Sequence, residues 1–234
     1  YLKNLPENLK EIISMASEIA KKTGANAYLV GGCVRDLILE VRNLDLDIVV
    51  ENDGIGFAQA LSRSSGAGLI VHKRFGTATI KCGENFKVDI ATARRESYPN
   101  AACLPEVELG NLRDDLSRRD FTINAMAIDI TGKNLGNFID YFNGSDDLRN
   151  KKIRVLHDLS FIDDPTRILR AIRFEQRYDF AIEPRTMSLL KESAHMKMLH
   201  KISGHRASDE LALILKEAHP IKYIKRIKEL IGFD

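Results

Sequence analysis

The feature that most constrains this chain is a seven-residue run, Leu44-Asp45-Leu46-Asp47-Ile48-Val49-Val50. Its leucine and β-branched content predicts a strand. Side chains two apart on a strand share a face. Asp45 and Asp47 then stand side by side, while Leu44, Leu46 and Ile48 point the other way, towards a core. Carboxylates this close repel each other unless a cation lies between them. The run is therefore either a divalent-metal site, where oxygen ligands suit Mg²⁺, or a solvated edge strand with a pair of surface acids.

The residues before the run bear on that choice. Leu9, Ile12, Ile13, Ala16 and Ile19 recur at helical spacing over residues 6–22, and Gly24 supplies a stop. A short strand, Ala27–Val30, runs into Gly31-Gly32, and Cys33–Leu39 suits a helix. A strand, a glycine turn and a helix start make a place where backbone can approach phosphate. Arg35, in that first turn, can reach the same anion. Taken alone, a Gly-Gly pair is an ordinary turn.

Beyond the run, Asn52-Asp53-Gly54 begins a helix to about Ser62. Gly68–Arg74 and Thr77–Lys81 predict strands joined at Phe75-Gly76, and Phe86–Ile90 predicts another strand, carrying Asp89. Asp89 is either a third carboxylate of a metal cluster or the ion-pair partner of Arg94 or Arg95. Residues 92–113 contain Pro99, Pro105 and Gly110 without periodicity, which predicts a long loop of the kind that often carries function. The charged stretch from Asp114 to Asp120 turns abruptly apolar at Phe121, as when a polar cluster faces a cleft. A strand, Met126–Ile130, ends at Thr131-Gly132-Lys133-Asn134, and Phe138–Phe142 with Asn143-Gly144 closes the α/β part.

From residue 145 the pattern becomes helical. Asp163-Asp164-Pro165 has the composition of a helix start. The helix that follows runs from Thr166 to about Arg177, with Ile168, Leu169 and Ile172 on its apolar face. Arg167, Arg170 and Arg173 form a slowly turning basic ridge, either salt-bridge decoration or a surface for recognising an anion or a base. Further helices are predicted at 184–193, 205–217 and 220–231. Residues 151–234 hold 17 Lys and Arg against 12 Asp and Glu, which leaves the first 150 residues at a net −3. The C-terminal third is thus the place to meet a polyanion.

Cys33, Cys82 and Cys103 have no metal-ligand spacing, and an odd count argues against a disulfide framework. With no signal peptide and no apolar run of transmembrane length, these features predict a reducing, cytoplasmic location. The first residue is Tyr1, so a true N-terminus is expected before it.

Together these pieces resemble the class II tRNA nucleotidyltransferase and bacterial poly(A) polymerase family, within the polymerase-β-like nucleotidyltransferase superfamily. The resemblance covers roughly residues 25–215. Gly31-Gly32-Cys33-Val34-Arg35-Asp36 followed by Asp45-Leu46-Asp47 matches that family's catalytic motif. Arg118-Arg119-Asp120-Phe121-Thr122-Ile123-Asn124-Ala125 looks like its ribose- and triphosphate-contacting motif. Asp163-Asp164-Pro165-Thr166-Arg167 is similar to its amino-acid template, with Asp163 where Glu is usual, and Ser203-Gly204-His205-Arg206 to Glu210 resembles an Arg/Glu motif of its neck.

The resemblance implies an α+β fold. A small mixed β-sheet nucleotidyltransferase head with flanking helices would span 1–144, and an all-helical, RNA-binding neck would span 145–234. It implies catalytic Asp45, Asp47 and Asp89, with Mg²⁺ held by Asp45 and Asp47. It also implies nucleotide contacts from Gly31, Gly32, Arg35, Arg119, Asp120, Asn124, Asp164, Arg167, Arg170 and Arg173. The implied reaction is attack of an RNA 3′-hydroxyl on the α-phosphate of CTP or ATP at the 3′ end of tRNA. Asp164 and Arg167 would read the Watson–Crick edge of the incoming base, and Asp120 would accept from the ribose 2′-hydroxyl. Loop features such as Glu96-Ser97-Tyr98-Pro99 point to a partial, CC-adding enzyme, and a body and tail gripping tRNA are expected beyond Asp234. A poly(A) polymerase and a non-catalytic RNA-binding relative are the alternatives. Oligomeric state is not legible.

Overall fold

The computed structural model describes residues 1–2, 5–41, 45–82, 86–132 and 134–232. Leu44, Lys133 and Asp234, which figure in the expectations above, lie outside them. The chain divides into two compact units, residues 1–96, 107–119 and 124–144 in the first and 97–106, 120–123 and 145–234 in the second. Two short stretches before residue 144 thus group with the helical part.

The first unit opens with α1 (Glu7–Thr23), which buries Leu9, Ile12, Ile13, Ala16 and Ile19 and ends at Gly24 with φ 70°. That left-handed cap suits glycine, which has no Cβ to clash. Then follow β1 (Ala27–Val30), α2 (Gly32–Ile38), β2 (Asp45–Val50) and α3 (Gly54–Ser65). Asp53 caps α3 by accepting the Gly56 N–H at 2.8 Å. Next come β3 (Gly68–His72), β4 (Thr77–Lys81) and β5 (Lys87–Thr92), with a 3₁₀ turn at Lys73–Phe75 between β3 and β4.

The predicted loop over 92–113 holds β6 (Arg94–Ser97), β7 (Glu106–Leu109) and the start of α4 (Leu112–Ser117). It escaped the pattern because Arg94-Arg95-Glu96-Ser97 has no apolar alternation and all of β7 is exposed. Backbone pairing and the Arg95–Glu108 ion pair at 2.8 Å stand in for a buried face. Asn111 and Asp114 form a capping box that starts α4. β8 (Met126–Asp129) and β9 (Phe138–Asp140) complete this unit.

Its seven-stranded sheet runs β3-β4-β5-β2-β1-β8-β9. β2 pairs in parallel with β5 and antiparallel with β1. The acidic run is therefore interior, and the solvated-edge-strand alternative falls. Leu46 and Ile48 are each 1 % exposed and share the packed face with Val88, Ile90, Ala78 and Ile80. α3 lies on this sheet, packed against β4 and β5, and α1 packs on α3.

The second unit contains α5 (Gly144–Arg149), β10 (Lys152–Ile153), α6 (Ser160–Asp163), α7 (Thr166–Tyr178), β11 (Ala181–Ile182), α8 (Pro184–His195), α9 (Gly204–Leu215) and α10 (Pro220–Ile231). Among the described residues it is mainly helical, with a two-residue parallel ladder between β10 and β11 and an isolated bridge between Phe121 and Val155. Asp163 ends α6 instead of opening α7, and Pro165 takes the N-cap of α7. Ile168, Leu169 and Ile172 are buried as expected, and Phe174 meets Phe121 edge-on at 5.8 Å. Among the described residues no helix is long and apolar enough to cross a membrane.

If the packed face of the sheet carries the stability, Leu46→Ala should cost about 3 kcal/mol in urea unfolding. Ile70→Ala, on the half-open face of β3, should cost below about 1 kcal/mol.

Candidate active site

In the first unit the parallel register places Asp47 directly opposite Asp89, and Asp45 opposite Lys87. Asp45 and Asp47 lie on one face, as their spacing predicts. Asp89 accepts from Thr79 Oγ1 at 2.6 Å and from Lys87 Nζ at 2.8 Å. Arg94 and Arg95 instead pair with Glu96 and Glu108. Thus neither arginine is the partner of Asp89, and the strand itself supplies the cation, two residues before the acid. Lys87 also stands 4.0 Å from Asp45. Burial raises the Asp47 carboxyl above its ordinary range; Arg119 opposes this, and Asp89 and Asp45 add to it.

A pocket of about 340 Å³ opens over these groups, lined by Asp47, Asp89, Arg119, Thr77 and Thr79 among others. Among the described residues no three His, Cys, Asp or Glu side chains are set as a closed metal cage. The donors nonetheless fit a Mg²⁺-type ion, which keeps waters and takes only one or two carboxylates alongside substrate phosphates. The same-face acid pair and the charge-strained Asp47 supply such ligands.

The glycine turn faces the same acids. Gly31 has φ 73° and ψ −135°, a region suited to glycine. A Cβ there would lie 2.6 Å from Arg119 Nη1 and 3.7 Å from Asp47 Oδ2. At Gly32 the nearest atom, Arg35 Nη2, would be 3.4 Å away, so conformation and close approach compel only the first glycine of the pair.

Arg119 is held by the fully buried Asp115, whose Oδ2 accepts its Nη2 at 2.9 Å. Asp115 also binds Arg118 at 2.6 Å, and Arg118 in turn reaches Glu96 at 3.1 Å. Arg119 Nε is buried without a hydrogen-bond partner among the described residues. An orphaned guanidinium N–H beside a glycine turn is a ready anion contact. Asp115 was missed as a site residue because nothing in its spacing separates it from Asp114, which only caps α4.

Arg35 differs from its expectation of reaching an anion. It is 6 % exposed; Nε and Nη2 go to Asp36 at 2.9 and 2.8 Å, and Nη1 goes to Asn124 at 2.6 Å. The helix that carries it turns its side chain inward, so Arg35 and Asn124 brace each other.

In the second unit, Asp120 Oδ2 accepts both Nε and Nη2 of Arg170, at 2.9 and 2.7 Å. Arg170 Nη1 binds Glu210 Oε1 at 2.8 Å, and Arg173 binds Glu210 Oε2 at 3.1 Å. The Phe174 ring lies beneath both guanidinia, 5.5 and 5.0 Å from centroid to carbon. Asp120 and then Glu210 raise the Arg170 pKa against the cost of burial. Arg167 is 4 % exposed and donates to Ser160 Oγ at 2.6 Å. The predicted ridge is thus a largely buried charge network, not surface decoration.

Asp164 Oδ1 accepts from Thr166 N at 3.0 Å, Thr166 Oγ1 at 2.6 Å and Arg206 Nη2 at 2.7 Å. Its backbone carbonyl accepts from Arg167 N at 3.1 Å, so Asp164 and Arg167 share one turn. Arg206 and Glu210 lay in a motif visible in the sequence; the ion pairs reveal their work.

The family described as "Poly A polymerase head domain" matches residues 27–154, and that described as "Probable RNA and SrmB- binding site of polymerase A" matches 179–230. The chain is 43 % identical over 228 residues to an A-adding tRNA nucleotidyltransferase of Geobacter sulfurreducens, covering 97 % of this chain and 26 % of that protein. It is 47 % identical over 191 residues to an A-adding tRNA nucleotidyltransferase of Aquifex aeolicus, covering 82 % and 23 %. A solved apo CCA-adding enzyme superposes with a TM-score of 0.93 at 42 % identity, over 98 % of this chain and 54 % of that one. The chain thus spans about a quarter of those two relatives and about half of the solved enzyme.

Burial works to raise the Asp115 carboxyl, but Arg119 and Arg118 prevail and hold it below its ordinary value. A depressed native pKa contributes stability above the unfolded carboxylate pKa, about 3.9, and that stability is lost as pH falls through the native value. Asp115→Asn should therefore lose about 3 kcal/mol at neutral pH. The loss should shrink towards zero as acid protonates the wild type, as read by urea unfolding across a pH series.

Proposed function

This chain belongs to the poly A polymerase head-domain family, and on that premise we propose that it carries the catalytic head of a template-independent tRNA nucleotidyltransferase. The proposed reaction adds AMP from ATP to a tRNA 3′ end. The observation that carries the reading is Arg119, with its orphaned Nε, standing over Gly31 beside Asp47 and Asp89. A addition, in place of the CC addition suggested by the loop, is favoured because both relatives described above are A-adding enzymes.

Asp45 and Asp47 would hold Mg²⁺, which would lower the cost of charge on the attacking hydroxyl and on the leaving pyrophosphate. Asp89, fixed by Lys87 and Thr79, adds negative potential beside Asp47. Arg119 meets the triphosphate at the Gly31-Gly32 turn, and Asp115 holds it there. Arg35 and Asn124 brace the helix that follows the turn. Protein chemistry of this kind is positioning and charge neutralisation, not covalent work.

In the helical part, Asp120 is set by Arg170 to accept from the ribose 2′-hydroxyl. Asp164 and Arg167 read the base, since an Arg only donates and a carboxylate only accepts. Arg173 and Glu210 keep Arg170 in place. We assign residues 1–144 to the catalytic head, 145–234 to the base-reading, RNA-binding neck, and the protein to the cytoplasm.

Incubation with tRNA lacking its terminal A, Mg²⁺ and labelled ATP or CTP tests this. A single AMP addition supports the reading. Long A tails on generic RNA would replace it with poly(A) synthesis, and no incorporation despite RNA binding would leave a non-catalytic binder. Asp45→Ala and Asp47→Ala should abolish transfer while RNA binding persists. Arg167→Ala should relax the preference for ATP over CTP more than it slows transfer; an unchanged preference counts against base reading.

A further inference from the structure

The triphosphate contact and the acids fix a direction for the second substrate. An in-line displacement needs attacking and leaving oxygens on opposite sides of the phosphorus. In the head sheet, Gly31 follows β1, which borders β2 on one side, and β5 borders it on the other. With the triphosphate at Gly31, as proposed above, the attacking hydroxyl would arrive from the β5 side. Asp47 leads across the sheet to Asp89, then to Thr79 and Ile70. That path ends at Ile70 on the edge strand β3. The turn between β3 and β4 begins past the pair His72–Thr77, two residues further along and level with Ala91 and Val49.

We infer that this turn and its flanking strands, His72 to Lys81, form a platform for the single-stranded 3′ segment of the acceptor RNA. The inference rests on the nucleotidyltransferase reading given above. Residues 68–82 contain Lys73, Arg74 and Lys81 and no Asp or Glu, within a first 150 residues that net −3. None of the three cations makes an ion pair among the described residues. Phe75 is 62 % exposed, with the Arg74 guanidinium 5.7 Å from its ring centroid.

Gly76 closes the turn at φ 61°, and its carbonyl accepts the Thr92 N–H at 3.0 Å, which ties the turn to the end of β5. Two residues after Phe75, Thr77 lines the acid pocket. An exposed Phe is by itself ordinary. Here it joins unpaired positive charge on an anchored turn beside the edge strand β3, the side from which the proposed acceptor would come. That combination, a ring for a base and cations for its phosphates, is the chemistry of single-strand recognition.

The test measures binding of a short 5′-fluorescein oligoribonucleotide to the full chain, with ATP binding in parallel. Phe75→Ala should weaken RNA binding by about tenfold and leave ATP binding unchanged, and Phe75→Trp should restore it. Changing both Lys73 and Arg74 to Gln should flatten the slope of log affinity against log salt by about 0.7 per charge removed. Unchanged RNA affinity and salt slope would overturn the platform, even if tRNA receives AMP and Asp47→Ala abolishes that transfer; the functional reading would then stand alone. Parallel losses for ATP and RNA would mark general damage to the head and also overturn it. A wild-type chain that binds no RNA and transfers nothing would remove both.

Discussion

Parallel pairing of β2 with β5 sets Asp47 against Asp89, and the head is arranged around that like-charge contact. Parallel register gives the strands no freedom to separate the acids, because a slip of one residue would turn Leu46 and Ile48 out of the core. The repulsion is met locally. Lys87 and Thr79 take up Asp89, while Arg119 leans towards Asp47 from the glycine turn. Arg119 stays there because Asp115, a buried residue of α4, holds its far side. The result is an electrostatic surplus beside an orphaned donor, suited to a ligand that brings both phosphate and a cation.

The helical part solves a related problem differently. Arg170, Arg173, Asp120 and Glu210 satisfy one another over the ring of Phe174. Buried ion networks contribute little net stability once desolvation is counted, but losing one member is costly. Their value lies in orientation. An arginine that swung freely would lose rotamer entropy on binding any ligand, and Arg167 avoids this through Ser160 and close packing.

Much of this was legible. Period-two and helical spacings gave α1, β2, α7 and their buried faces almost to the residue, because core packing rewards the same residues that the pattern counts. The shared face of Asp45 and Asp47 follows from the same period of two, and Gly31 stood out as the turn between a strand and a helix. The rest depends on partners distant in sequence. Arg35 turning inward to Asn124, the engagement of Glu210 with two arginines, and the pairing of Asp120 with Arg170 are products of tertiary placement. β6 and β7 stayed hidden because a ladder held by backbone and exposed ion pairs leaves no hydrophobic period.

The two stretches of the first 144 residues that group with the helical unit, 97–106 and 120–123, have a consequence for how the chain becomes folded. Phe121 is fully buried, and the aromatic ring it meets belongs to α7, late in the sequence. A chain ending at residue 144 would lack the α7 ring that Phe121 packs against, so this segment would leave apolar surface uncovered until the later helices are made.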